Sequence, residues 1–210
     1  PTVRPGIPLM EKLGQVFVGL CPSALSSIDV EVRGEIAAHD VTVLKLAALK
    51  GIFSRIVSEQ VSYVNAPLMA EARGMEVTLT KDETSNDYRN LLTLRGVLAD
   101  GSVVSASATL TGAKQTQKLV GINGYEVEVP LASHHIVMMY EDRPGIVAVY
   151  GKAFGDASIN IAGMQIARDT RGGQALSVLT VDSRVPDELL AEVAAAISAT
   201  TMAPIDVIDL

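Results

Sequence analysis

Apolar residues recur at helical spacing over residues 9–20, where Leu9, Leu13, Val16, Phe17 and Leu20 share one face. Cys21-Pro22-Ser23 ends that helix. Residues 27–33 alternate apolar with charged, as in a strand with one wet face, and Gly34 closes it. Helical spacing returns over residues 41–61 through Val41, Leu44, Leu49, Ile52, Phe53 and Ile56. Gly51 inside that stretch marks either a break between two helices or a cost of ~1 kcal/mol relative to alanine. Asn65 as N-cap, Pro67 in the first turn and Gly74 past the end frame a short helix, and residues 75–80 alternate again. Residues 81–87 are polar throughout and predict a loop. Two hairpins follow: residues 91–99 and 102–110 about Asp100-Gly101, then 117–122 and 125–129 about Asn123-Gly124, both with type I′ turn signals.

Pro130-Leu131-Ala132-Ser133 is the predicted boundary, giving domains over residues 1–130 and 131–210. Beyond it the pattern reads strand (134–141), helix (144–156), strand (160–168), strand (174–181), helix (187–198), strand (205–210). That order is βαββαβ, the ferredoxin-like plan. The fold class is therefore α+β, a mixed first domain followed by a ferredoxin-like second one, and not a doubly wound sheet.

The strand-to-helix junction Tyr140-Glu141-Asp142-Arg143-Pro144-Gly145-Ile146 carries the most chemistry. Pro144 suits a first helical turn, and Gly145 has no Cβ to keep a small anion from the free N–H groups at the helix start. Asp142 suits either an N-cap or the ammonium of a ligand. A carboxylate beside bare backbone donors matches the two poles of an amino acid; the same residues also make an ordinary helix start.

Composition narrows the classes of function. The chain has 210 residues, 48% of them hydrophobic, with a formal charge of −7 and basic residues in no stripe or run, which argues against nucleic acid. Aromatic content of 4% without Trp removes stacking platforms. No apolar run approaches the ~20 residues of a membrane span, no basic-then-apolar leader is present, and one cysteine makes no intrachain disulfide, so a cytoplasmic location is expected. The opening Pro-Thr-Val-Arg-Pro-Gly-Ile-Pro has linker character, as expected of a piece of a longer protein.

Nucleotide fingerprints are absent: no Gly-x-Gly-x-x-Gly follows a strand and no Gly-Lys-Ser/Thr ends a phosphate loop. His134 and His135 are adjacent on a strand and point to opposite faces, so they do not share a metal; no metal site is expected. Cys21 lacks a nucleophile motif, and no catalytic constellation is visible. Lys118 and Asn123 are candidates for a phosphate or a phosphorylated substrate, against the plainer reading of strand-edge polar residues.

Tyr140-x-Asp142-Arg-Pro-Gly145 followed by Asn160-Ile-Ala-Gly-Met-Gln-Ile166 resembles the ACT domain, a small-molecule regulatory module of amino-acid metabolism. Val32-Arg-Gly-Glu-Ile, Val64-Asn-Ala-Pro and Gln117-Lys-Leu-Val-Gly-Ile-Asn-Gly124 resemble the intervening, allosteric substrate-binding domain ahead of ACT in long-form D-3-phosphoglycerate dehydrogenases. The nearest competing resemblance is the regulatory part of iron–sulfur L-serine dehydratases, and a purely structural oligomerisation module is a further alternative. The dehydrogenase resemblance implies a feedback-regulatory region of serine biosynthesis, binding L-serine between two ACT domains of a homodimer or higher oligomer. It carries the effector site onto Tyr140, Asp142, Arg143, Pro144, Gly145, Ile146, Asn160 and Ile161, with Asn160 from the neighbouring chain. It places an anion-binding base on Lys118, while Pro130 stands where some relatives have another base. It also implies that this chain is not itself catalytic and holds no cofactor, NAD and the active-site residues belonging to preceding domains of a parent oxidoreductase.

Overall fold

The first amphipathic stretch forms helix α1 (Gly6–Gly19), and a nearly all-apolar stretch forms α2 (Thr42–Phe53). They cross backbone to backbone. A Cβ at Gly51 would stand 2.1 Å from the Glu11 carbonyl oxygen, and one at Gly14 would stand 2.6 Å from that of Ala48. Gly51 is thus no break; it is the contact point of the helix pair. Helix α2 does end sooner than the residue 61 its pattern predicts. The Ser54 hydroxyl donates back to the Gly51 carbonyl at 2.7 Å, and the following Ile56 is exposed, so apolar spacing there buys no burial.

Beside the pair, α3 (Asn65–Ala72) is capped differently from the expectation. The Ser62 hydroxyl accepts from the Val64 and Asn65 N–H groups, and the Asn65 carboxamide oxygen accepts from the Ser62 N–H at 2.7 Å. Ser62 caps and Asn65 reciprocates, the logic of a capping box.

The computed structural model describes residues 2–210. Its first sheet contains β1 (Leu25–Gly34), β2 (Glu76–Asp82), β3 (Asn90–Leu98), β4 (Val103–Thr111), β5 (Thr116–Ile122) and β6 (Tyr125–Pro130), in the order β2-β1-β3-β4-β5-β6. Strands β1 and β2 pair in parallel, with Ile28 opposite Val77, which the intervening helices permit as a crossover. Strands β1, β3, β4 and β5 pair antiparallel in that order. The Asp100-Gly101 turn is not type I′: only Gly101 has positive φ, and Gly101 N–H to Leu98 O with Leu98 N–H to Ser102 O closes a longer, bulged loop. Asn123 and Gly124, at φ of 49° and 83°, do fit type I′.

The chain divides into two compact units, Pro1–Gly124 with Ile208–Leu210, and Tyr125–Val207. The division falls at the second hairpin turn rather than at Pro130. The last residues return to the first unit because the Gln15 carboxamide holds the Ile208 main chain from both sides, at 2.8 and 2.9 Å.

In the second unit, β7 (His134–Glu141), α4 (Ile146–Asp156), β8 (Ile161–Arg168), β9 (Gln174–Val181), α5 (Asp187–Ile197) and β10 (Thr201–Asp206) form an antiparallel sheet in the order β10-β7-β9-β8. The fold is α+β. Ile136, Met138 and Tyr140 alternate onto one face of β7 and pack with Tyr150, Phe154, Leu190 and Val193 from the helices. No helix among the described residues is long and apolar enough to cross a membrane.

His135 points to the opposite face and is 1% exposed. Its Nε2 accepts from the Ala132 N–H at 3.0 Å, so the proton sits on Nδ1, 3.2 Å from the Thr180 hydroxyl. Burial, then the neighbouring His134, hold its pKa below the ordinary 6.5.

Two predictions follow from this packing. Alanine normally stabilises a helix relative to glycine, yet Gly51→Ala should destabilise the first unit by about 1–3 kcal/mol, because the methyl overlaps a backbone oxygen of α1; urea unfolding checks the sign. His135 is kept neutral by the fold, so its contribution is intact above about pH 6.5 and is lost as the pH falls below that value and the unfolded chain takes the proton. Protection of the β7 amides, taken relative to their slower intrinsic exchange at lower pH, should therefore fall in mild acid, and His135→Gln should remove that component.

Candidate functional site

The junction after β7 is built from its glycine. Gly145 adopts φ of 92°, left-handed, and is itself the N-cap of α4, so the helix begins at Ile146 and Pro144 lies ahead of it. No side chain caps this end, and a Cβ at Gly145 would meet nothing within 4 Å. Arg143, Pro144 and Gly145 are exposed. The helix start is therefore open, with its unpaired N–H groups and the positive end of the dipole available to an anion.

Asp142 does not cap that helix. Its Oδ2 accepts from Arg168 Nη1 at 3.1 Å and lies 3.5 Å from the Gly172 N–H. Strand register explains the pairing, since Arg168 lies opposite Ala175, and Ala175 lies opposite Tyr140. The adjoining β8–β9 turn is organised by Asp169, whose Oδ1 accepts from the Thr170 and Gln174 N–H groups. Gly173 leaves room for that carboxylate, and its carbonyl accepts from the Asp142 N–H at 2.8 Å. Asp142 is thus fixed beside the open helix start, shared with an arginine that sequence reasoning missed. The only sequence signal for Arg168 was its place at the end of the strand entering the hairpin.

Tyr140, Ile146 and Ile161 turn their side chains toward the core, and Asn160 stands apart from Asp142 within one chain. The Tyr140 side chain is buried on the helix side of the sheet, and its hydroxyl meets the Ser177 hydroxyl at 2.5 Å, so it does not face the open helix start. Ile146 is likewise a core side chain, and Ile161 packs against the same cluster. Asn160 is exposed but far off: it precedes β8, whereas Arg168 beside Asp142 ends it, a separation of roughly 25 Å along an extended strand. Its Nδ2 donates to Asp182 Oδ2 at 2.8 Å, and its carbonyl accepts from the Asp182 N–H. One chain therefore does not bring Asp142 and Asn160 together.

Among the described residues strand β8 ends its sheet and pairs with β9, and β6 lies beside it, the Glu128 N–H donating to Gln165 Oε1 at 2.8 Å. Along it Met164 and Ile166, 48% and 41% exposed, share a face with Arg168, and Val147 on α4 is also exposed. This is an apolar, unpaired edge beside the open helix start.

The proposed anion pair in the first unit does not converge. Lys118 lies early in β5 and Asn123 follows its end, about 16 Å away along the strand. The Asn123 carboxamide oxygen accepts from the Ser105 N–H at 3.0 Å, fixing the turn. Among the described residues no group of His, Cys, Asp and Glu is arranged to hold a metal ion.

The sequence model of the D-3-phosphoglycerate dehydrogenase intervening domain matches residues 2–123, and that of the ACT domain matches residues 134–198. The D-3-phosphoglycerate dehydrogenase of Mycobacterium tuberculosis (strain ATCC 25618 / H37Rv) is 38% identical over 205 residues, covering 97% of this chain and 39% of the relative. The protein of the same name from Mycobacterium leprae (strain TN) is 36% identical over 95% of this chain and 38% of its own length. That of Synechocystis sp. is 31% identical over 91% of this chain and 34% of its own. The chain thus spans well under half the length of these relatives.

The buried hydroxyl pair gives a direct check on Tyr140. Tyr140→Phe removes one hydroxyl from the buried cluster of Tyr140, Ser177 and Tyr150 and should cost about 1 kcal/mol in thermal or urea unfolding. Amino-acid affinity measured on the same variant should be unchanged, since the lost hydroxyl faces the core.

Proposed function

This chain belongs to the D-3-phosphoglycerate dehydrogenase intervening-domain family and carries an ACT domain behind it, and from that premise we propose that it is a feedback-regulatory region whose second unit binds L-serine between two copies. The observation that carries the proposal is the pairing of an open, left-handed Gly145 helix start with the Asp142 carboxylate, beside an unpaired apolar strand edge. The ligand carboxylate meets the N–H groups at the start of α4. Its ammonium meets Asp142, sharing that carboxylate with Arg168.

Serine is distinguished from alanine by its hydroxyl, which needs a fixed partner with both donor and acceptor capacity. Asn160 has that capacity. It lies at the far end of β8 from Asp142 in one chain. An antiparallel pairing of two β8 edges about a two-fold axis sets the Asn160 end of one copy beside the Asp142 end of the other, and covers Met164 and Ile166. Asn160 must then leave Asp182 or share itself with it.

The residues do not suit NAD. Strands β1 and β2 pair in parallel, and β1 leads through Gly34 into a single 3-10 turn, Glu35–Ala38, not into a glycine-rich helix start. Dehydrogenase chemistry is assigned to the part of the relatives' length that this chain does not span, acting on 3-phosphoglycerate in the first step of serine formation.

Serine binding and dimerisation should be linked, with the dimer strengthened as serine rises above its Kd. Calorimetry with Asp142→Ala and Asn160→Ala should each show a tenfold to hundredfold drop in serine affinity, the loss of about 1.5–3 kcal/mol expected for a hydrogen bond to a charged group or its equivalent. Sedimentation of the parent with and without serine reports the linkage. Parent-like affinity in both variants, or full serine binding by a monomer, would sink the proposal.

A further inference from the structure

Where α1 ends and the chain turns into β1, residues at the ends of α1 and α2, the start of β1 and the segment between α3 and β2 line a cavity of about 590 Å³. Small-molecule sites typically run roughly 300–1,000 Å³. Its body is apolar, formed by Val18, Leu25, Phe53 and Met75. Cys21 adds to the dry wall: its thiol donates to the Phe17 carbonyl at 3.2 Å, and burial pushes its pKa up to about 12.

One lining residue carries charge. Arg73 follows the end of α3, with its guanidinium carbon 5.2 Å from the centre of the Phe53 ring. Nη1 donates to the Met69 carbonyl at 3.1 Å. No carboxylate pairs with this guanidinium among the described residues. The remaining N–H groups of its fork form a bidentate donor set at the edge of an apolar cavity. A neutral apolar ligand would leave that set unused, and a dianion would be only half neutralised by it.

We propose that this cavity is a binding site for an apolar-tailed monocarboxylate of medium chain length, the tail lying among Val18, Leu25, Phe53 and Met75 and the carboxylate on Arg73. All of its lining residues belong to the first unit, so the site is separate from the serine site proposed for the second. Its ligand differs in chemistry as well, since an amino-acid ammonium would be repelled by Arg73 and desolvated without a partner.

Octanoate is the probe. Calorimetry on the whole chain should show one site per chain, with affinity rising about fourfold for each methylene from hexanoate to octanoate. Octan-1-ol, which keeps the tail and loses the charge, should bind at least about tenfold more weakly. Arg73→Gln, at an exposed position, should weaken octanoate by about tenfold to hundredfold and leave octan-1-ol unchanged. In the unaltered protein, saturating octanoate should slow alkylation of Cys21 by N-ethylmaleimide, a readout that does not depend on any variant folding. Absence of octanoate binding, equal binding of acid and alcohol, an Arg73→Gln protein that binds octanoate like the parent, or unaltered alkylation of Cys21 would each overturn the proposal.

Discussion

Among the described residues strand β8 makes its ladder hydrogen bonds with β9, while β6 lies beside it with the Glu128 N–H donating to Gln165 Oε1, and the backbone groups on its outer side fall to water or to another strand. Everything that distinguishes the second unit as a candidate binding module is arranged along that edge. Asp142 is tied to one end of it through Arg168, Asn160 precedes the other end, and exposed Met164 and Ile166 lie between. A strand's rise is fixed at about 3.3 Å per residue, so no side-chain motion closes the gap between those ends. A ligand as small as an amino acid can touch both groups only if two copies of the edge run antiparallel.

The first unit depends on a different constraint, the backbone contact of α1 with α2 through Gly14 and Gly51. Close approach there leaves the Glu11 side chain almost buried, and its carboxylate is satisfied by Lys50 at 3.0 Å and by the Tyr63 hydroxyl. Burial, with that carboxylate next, pushes the Tyr63 pKa up to about 12. Tyr63 in turn sits just before α3, so the helix pair also determines where α3 starts. The apolar cavity by Arg73 lies where α1, α2 and α3 diverge from this contact.

Charge at the start of α4 is shared and not surplus. Asp142 is partly exposed and already faces Arg168, so on the proposed reading an arriving ammonium would exchange one cationic partner for another or join it. The gain is correspondingly smaller than for an unpaired carboxylate, and discrimination then rests on the backbone donors of α4 and on the partner that meets the ligand hydroxyl.

How much of this was legible beforehand depends on the range over which each feature is decided. Local patterns were reliable: α1, the β1 alternation, the Asn123-Gly124 turn and the order βαββαβ rest on period and turn chemistry within a few residues. The glycines misled where their reason was distant. Gly51 reads as a helix breaker, but its role is set by the Glu11 carbonyl forty residues earlier in the chain. Tyr140 reads as a site residue because it adjoins Asp142, yet strand alternation turns its ring into the core, where Ser177 awaits it. The parallel pairing of β1 with β2, the Asp142–Arg168 contact and the separation of Asp142 from Asn160 follow from sheet order and register, which arise when many weak, long-range contacts are satisfied together. The sequence by itself determined which residues could carry the chemistry and the elements that bear them; the tertiary structure alone decided which of them meet, because meeting is a property of register and not of neighbours in the chain.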